Sequence, residues 1–399
     1  MSTKHASRIS AIQPSATLAM SQRAAELKAQ GVDVIAFGVG EPDFEAPSHV
    51  LSAAKDAIDR GASHYTAVRG IKPLLEAIRD DSVRRRGHAH DLSEIVVSVG
   101  AKHTLFNLAL CLYEPGDEVI VPAPYWVSYP DQARLVGATP RFVETREEDG
   151  FRLDPAALRA AVTPATKALI LCSPSNPTGS AYRAEDLAAL AEVLREGDYW
   201  IVVDEIYGEL VYDGFEQRSL LDVAPDLRDR LILVDGVSKT YAMTGWRIGW
   251  CLCPASLAKQ VDKIQGQSTT NPAAVSQHAA VAALRGPREE VERMRQAFAG
   301  RRRAMIDGLN AIEGVTCREP EGAFYAFPNV NAHVGKRAGE RVLASDVDLS
   351  LWLLDAAKVA VVPGSAFGAP GYVRLSYATS TELIVEGVRR IGEALSTLR

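Results

Sequence analysis

From about residue 48 to residue 290 the chain alternates between two kinds of hydrophobic pattern. Short runs of consecutive apolar residues, rich in β-branched side chains, recur at 95–99, 119–121, 168–172, 200–203 and 231–234. Continuous runs of this length suit strands covered on both faces, whereas strands with one wet face alternate. Between them lie segments with apolar residues at helical spacing, such as 184–195. Ser48 can cap a helix that stops near Gly61, Pro73 suits a first helical turn, and Gly87 suits the stop of that helix. The alternation predicts βαβ units and an α/β domain with a mostly parallel sheet. The last hundred residues read differently. A long charged helix over 289–308 leads to strand-like pieces at 323–327, 359–362 and 372–375, and a helix closes the chain. A smaller α+β unit is expected there. No tract rich in Gly and Ser separates the two, so they should pack closely.

The 399 residues are 47% hydrophobic and 24% charged, which excludes disorder and a chain starved of core. A formal net charge of −6 argues against nucleic acid or an anionic membrane as the main partner. The triplets Arg84-Arg85-Arg86 and Arg301-Arg302-Arg303 are short, and solvated helix faces are expected for both. Cys111, Cys172, Cys251, Cys253 and Cys317 form no CxxC pair, and three sit in apolar runs, as buried free thiols in a reducing compartment would. No apolar run approaches the ~18 residues of a membrane span. The first ten residues lack the apolar core of a secretory signal, so a cytoplasmic protein is expected. The eight histidines show no HExxH or comparable spacing, and no metal site is expected.

Two familiar motifs fail on inspection. Gly38-Val39-Gly40 begins like a dinucleotide loop, but Asp43 stands where the third glycine belongs and Pro42 interrupts. Ser52 and Lys55 match SxxK, yet they fall inside an amphipathic helix, and the companion KTG is missing because Lys239-Thr240 runs into Tyr241. A third stretch is more specific: Gly236-Val237-Ser238-Lys239-Thr240-Tyr241-Ala242-Met243-Thr244-Gly245-Trp246-Arg247-Ile248-Gly249. A lysine just beyond a buried strand can lose its proton on desolvation and act as an amine nucleophile. Arg247, eight residues on, carries a guanidinium fork suited to phosphate. For either residue alone, a surface lysine or a structural arginine is the favoured reading.

Taken together, this stretch resembles, position by position, the lysine signature of class I aminotransferases, fold-type-I enzymes that use pyridoxal phosphate (PLP). Further markers agree in order: Gly40-Glu41-Pro42-Asp43, Tyr65-Thr66, Gly100-Ala101-Lys102, Pro124-Tyr125-Trp126, Asn176-Pro177-Thr178-Gly179, Asp204-Glu205-Ile206-Tyr207, Gly322-Ala323-Phe324-Tyr325, Pro363-Gly364 and Arg374-Leu375-Ser376. The wording around Tyr125-Trp126 and Trp246-Arg247 is most similar to the bacterial branch of aspartate aminotransferases. The resemblance implies a large PLP-binding domain over 49–290 with a mostly parallel seven-stranded sheet between helices. It also implies a small α+β domain over 291–399, and an N-terminal arm over 1–48 that belongs partly to the small domain.

It implies roles as well. Lys239 would bind PLP covalently and, once freed, shuttle a proton between the substrate Cα and the cofactor C4′. Asp204, at the end of a buried run, would pair with the pyridine N–H. Tyr207 and Asn176 would hydrogen-bond the 3′ oxygen, and Trp126 would stack on the ring. Gly100, with the N–H groups of Ala101 and Lys102 at a helix start, would cup the phosphate, completed by Ser238 and Arg247. The family often has serine where this chain has Gly236, so one hydroxyl of the cup is missing. Tyr65 would reach the phosphate of a neighbouring subunit, which makes the expected assembly a homodimer with shared active sites. Arg374 would grip the substrate α-carboxylate in a bidentate pair, assisted by Asn176 and the backbone of Gly40, with Trp126 against the substrate.

Substrate choice is less sharply written. Lys102 stands where the resembling branch uses a lysine for the distal carboxylate of a dicarboxylic substrate, and it could instead be a solvated first-turn residue. The branch commonly has a second lysine where this chain has Gln13. The expected reaction is ping-pong transfer between an L-amino acid, foremost aspartate, and 2-oxoglutarate. Prephenate, aromatic or alanine preference is the alternative, and a PLP-dependent C–S lyase of the same fold the lesser one. A regulator carrying an aminotransferase-like domain would need a preceding DNA-binding segment, and Pro14-Ser15-Ala16-Thr17 begins too early to leave room for one.

Overall fold

A computed structural model describes residues 5–12 and 16–399; Gln13, Pro14 and Ser15 lie outside the described residues. Seven strands form the main sheet: β1 (Ile95–Ser98), β2 (Glu118–Ala123), β3 (Thr139–Glu144), β4 (Thr166–Cys172), β5 (Trp200–Asp204), β6 (Leu231–Gly236) and β7 (Gly249–Leu252). Their order is β1-β7-β6-β5-β4-β2-β3. β7 runs antiparallel to both neighbours, and the other pairings are parallel.

The sheet is covered on both faces, which accounts for the continuous apolar runs. Ile201 and Val203 of β5 pack into one core with Leu74, Ile78 and Leu169. Val202, between them, points into the opposite core with Leu105, Leu108 and Ile232. Successive side chains of a strand point to opposite faces, so both cores draw on the same run. The edge strand β3 was not legible in the pattern because its half-exposed sequence, Thr139–Glu144, mixes Pro140 and Arg141 with apolar residues. β7 begins at the last residue of the lysine signature and is only Gly249–Leu252.

A third core joins the two ends of the chain. Ile35 and Phe37 pack with Phe298, Met305, Phe324, Leu353 and Leu375. Residues Ile35–Ala36 pair in parallel with Val359–Ala360. A small antiparallel sheet places β8 (Tyr325–Ala326) beside β10 (Val373–Ser376), which pairs with β9 (Val362–Pro363). The run read as one strand over 359–362 is therefore two short strands serving different sheets. Pro73 does lie in the first turn of α1 (Lys72–Arg86), and Gly87 closes it at φ +67°.

The arginine triplets correct the sequence reading. Arg86 at the end of α1 is buried and donates to Glu205 at 2.5 Å and to Asp235 at 2.9 Å. Arg85 bonds Asp235 as well. Arg302 is also buried, paired with Asp213 and with Glu319 at 3.1 Å. Only part of each triplet faces water: the end of α1 delivers Arg85 and Arg86 to the acids at β5 and β6, whereas Arg302 lies within the helix over 289–310 and turns inward to Asp213 and Glu319. Arg86→Met should lower stability by about 3 kcal/mol or more, since Glu205 and Asp235 would stay buried with too little positive charge. Urea unfolding of the two proteins measures this, and an unchanged midpoint would mean that water screens the pair.

Candidate active site

In a sheet of parallel strands the carboxyl ends all open on one edge, where the connecting loops leave a crevice. Gly100 follows β1, Trp126 follows β2, Asn176 follows β4, Asp204 ends β5, and Ser238 and Lys239 follow β6. Arg247 lies just before β7, and because β7 is reversed its start meets the same edge; Gly236 of β6 pairs with Gly249 of β7. Arg374 on β10, Tyr325 on β8 and the segment Gly40-Glu41 close the other side. The resulting cavity has a volume of about 890 Å³ and is lined by Gly40, Ala101, Lys102, Trp126, Asn176, Asp204, Tyr207, Ser238, Lys239, Arg247 and Arg374 among others. That is the size range of small-ligand and cofactor sites.

Gly100 stands at the rim of this cavity as the N-cap of α2 (Ala101–Leu112), with φ +84° and ψ 159°, a region that essentially only glycine adopts. A Cβ there would lie 2.4 Å from Arg247 Nη2. The missing side chain thus leaves the free N–H groups of the helix start and the Arg247 fork around one anion-sized space. Gly236 has its own reason. A Cβ at that position would meet the Ile248 carbonyl oxygen at 2.8 Å, so serine there would push β6 from β7. Tyr65 stands apart from the cavity and is 89% exposed.

The charged groups are held away from water. Lys239 Nζ donates to the Gly40 carbonyl at 2.6 Å. Burial lowers its pKa to about 8; Arg247 and Arg374 push the same way, and Glu41 and Asp204 oppose. Asp204 is 3% exposed. Its Oδ2 accepts from the Tyr129 hydroxyl at 2.9 Å and its Oδ1 from the Ile206 N–H at 3.2 Å. Burial raises this carboxyl to about 6, against the pull of those two donors. The Tyr207 and Tyr325 hydroxyls bond each other at 2.8 Å. Lys102 Nζ sits 4.8 Å over the Trp126 ring, and burial and Arg247 lower its pKa.

Arg374 is the most unusual of these groups. It is 2% exposed, between the rings of Tyr325 and Phe367. Nη1 donates to Asn176 Oδ1 and Nη2 to the Gly38 carbonyl, each at 2.8 Å, and Nε has no partner. Arg86 and Arg302 are also buried, but each has carboxylates. Among the described residues no acid pairs with Arg374, and its burial lowers its pKa.

Tyr129, Tyr325, Cys172 and Glu41 line the same cavity but had no assigned role in the sequence reading. Tyr325 and Glu41 fell inside motifs already quoted, so their neighbours were the available signal. Tyr129 and Cys172 reach the site only through the packing of a helix and a strand end against β5.

The model of the family described as aminotransferase class I and II matches residues 32–391. The chain belongs to this family. An aspartate aminotransferase of Geobacillus stearothermophilus is 46% identical over 391 residues, covering 97% of this chain and 98% of that protein. An aspartate/prephenate aminotransferase of Cereibacter sphaeroides is 46% identical over 382 residues, covering 95% and 96%. The crystal structure of an aspartate aminotransferase from Rhizobium meliloti superposes with a TM-score of 0.96 at 45% identity, covering 99% of this chain and 100% of that one. This aminotransferase therefore has the fold-type-I architecture and is PLP-dependent. Its cavity fits that cofactor: a desolvated amine, a buried carboxylate, an anion cradle that a Cβ would fill and an indole ring to stack on. Among the described residues no helix is long and apolar enough to cross a membrane, and no group of three or more His, Cys, Asp or Glu could hold a metal ion.

Two outcomes follow for this aminotransferase. Gly100→Ala should weaken PLP binding at least tenfold and cost about 1–3 kcal/mol of stability from its φ/ψ strain; fluorescence titration with PLP and thermal melts measure the two. PLP offered to the cofactor-free protein and trapped with borohydride should modify Lys239 faster as pH rises, with a midpoint near 8, because only the neutral amine attacks. A midpoint near the ordinary lysine value would mean a solvated amine.

Proposed function

We propose that this aminotransferase moves the amino group of L-aspartate to 2-oxoglutarate by a ping-pong mechanism. The observation that carries the reading is the buried Arg374 guanidinium, which has no carboxylate of its own and shares a cavity with Lys239. A buried cation in that state is a receptor for an anion, and a substrate α-carboxylate matches its fork. Asn176 and the Gly38 and Gly40 backbone steady that end of the substrate. PLP, when bound, supplies an electron sink that makes the Cα proton acidic. Lys239 Nζ takes that proton, and a pKa near 8 leaves enough free amine at neutral pH to do so. Asp204 would pair with the ring nitrogen, Tyr207 and Asn176 would bond the 3′ oxygen, Trp126 would cover the ring, and Gly100, Ala101, Lys102, Ser238 and Arg247 would cup the phosphate.

Lys102 supports the dicarboxylic substrate, because it places a cation beside Trp126 at the cavity wall. It acts without the second cation of the resembling branch, since Gln13 is neutral, and prephenate or another donor is the alternative reading. The substrate lies between a large unit over 49–290 and a smaller one over 291–399 with the N-terminal arm, so closure of the two excludes water. The exposed Tyr65 fits a homodimer in which each copy completes its neighbour's phosphate cup. The composition and the sparse free thiols fit the cytoplasm.

A half-reaction panel tests the reading. Aspartate should convert the bound cofactor to pyridoxamine phosphate, whereas a β-lyase would return PLP directly. Lys102→Ser should lower kcat/KM for aspartate about 10-fold or more, as loss of a hydrogen bond to a charged group does, and leave alanine nearly unchanged. Equal loss for both donors would remove Lys102 from the role of distal reader.

A further inference from the structure

One buried hydroxyl at the site is unused by the chemistry above. Tyr129 belongs to α3 (Ser128–Leu135) and is 3% exposed. Its ring meets Trp126 edge-on, with centroids 5.3 Å apart. Phenylalanine would fill that space equally well, so packing alone does not call for the hydroxyl. A buried phenol without a partner is costly, and this one spends its proton on Asp204 Oδ2 at 2.9 Å.

We infer that Tyr129 is a positioning residue for Asp204: it fixes one carboxylate oxygen from α3 while the Ile206 N–H fixes the other, leaving the free lone pairs to meet a protonated ring nitrogen in the cavity. The inference rests on the proposed role of Asp204 as partner of that nitrogen. A carboxylate ending a strand has a rotatable side chain. Two donors from different elements lock it in a way that one donor cannot.

The choice of a phenol is chemically pointed. Burial pushes Tyr129 well above the ordinary tyrosine range, so it stays a neutral donor at every pH the protein meets. A cationic donor would neutralise the carboxylate that the ring nitrogen needs. The other groups facing Asp204 give it little such help. Cys172, at the end of β4, is pushed up to about 12 and stays a thiol. Asp235 on β6 and Glu205 beside Asp204 are acids, which raise its proton affinity, although both are tied to Arg86 and Asp235 also to Arg85. Tyr207 remains protonated, and Lys239 is the nearby cation, itself lowered to about 8. The Tyr129 proton and the Ile206 amide are therefore what hold Asp204 ionised.

Infrared difference spectra of cofactor-free protein with 13C-labelled aspartate, subtracted against Asp204→Asn, report the Asp204 titration directly. The midpoint should lie near 6 in the parent protein. It should rise by about one pH unit in Tyr129→Phe, a tenfold gain in proton affinity from one lost charge-assisted hydrogen bond. A 3-fluorotyrosine inserted at position 129 donates more strongly and should move the midpoint down, and it decides the matter if Tyr129→Phe fails to fold. In the holoenzyme, Tyr129→Phe should lower kcat about tenfold with little change in KM, and the deficit should shrink above pH 8. A midpoint unmoved by either replacement, while PLP affinity still depends on Asp204, overturns this inference alone. PLP affinity indifferent to Asp204→Asn would instead overturn the role of Asp204, and the Tyr129 role with it.

Discussion

Charge kept from water without a matching countercharge governs this molecule. Asp204, Lys239 and Arg374 line one cavity, and each is stabilised by hydrogen bonds rather than by an ion pair of its own. Burying an unmatched charge costs several kcal/mol. The protein offsets that cost with packing elsewhere, and the residual imbalance describes the molecule that would relieve it. Such a molecule carries an aldehyde for the amine, a basic nitrogen for the carboxylate and an anion for the helix start, and it meets a second molecule with a carboxylate.

The sheet makes this crowding possible. Strands that run one way deliver their carboxyl ends to the same edge, and the single reversed strand β7 brings Arg247 there from its opposite end. Glycine at 236 lets β6 approach β7, and glycine at 249 lets β7 approach the helix start at Gly100-Ala101, so the lysine loop and the helix start share one space. The arginines behind β5 and β6 belong to the same logic. Arg85 pairs with Asp235 and Arg86 with Glu205, the acids on either side of Asp204.

Much of this was legible in the sequence. Five strands announced themselves as continuous apolar runs because both faces of the sheet are covered. The lysine signature and its companion motifs carried the family. What stayed hidden depended on partners far away in the chain. Arg86 looks solvated until Glu205 and Asp235, more than a hundred residues on, are placed beside it. Tyr129 looks like a core aromatic until β5 brings Asp204 to its hydroxyl. β3 reads as a loop because an edge strand buries too little to impose a pattern. Gln13 falls outside the described residues, so the neutral position that weakens the case for aspartate has a sequence reading only.

Arg374 has a consequence for biosynthesis. Its two bonded nitrogens hold Asn176 from mid-chain and the Gly38 carbonyl from near the start, 198 and 336 residues away. All the strands that bring up Lys239 and Asp204 precede it. Every residue proposed to hold the cofactor is thus synthesised before the proposed receptor for amino acids, which stands on the last strand in chain order among the described residues.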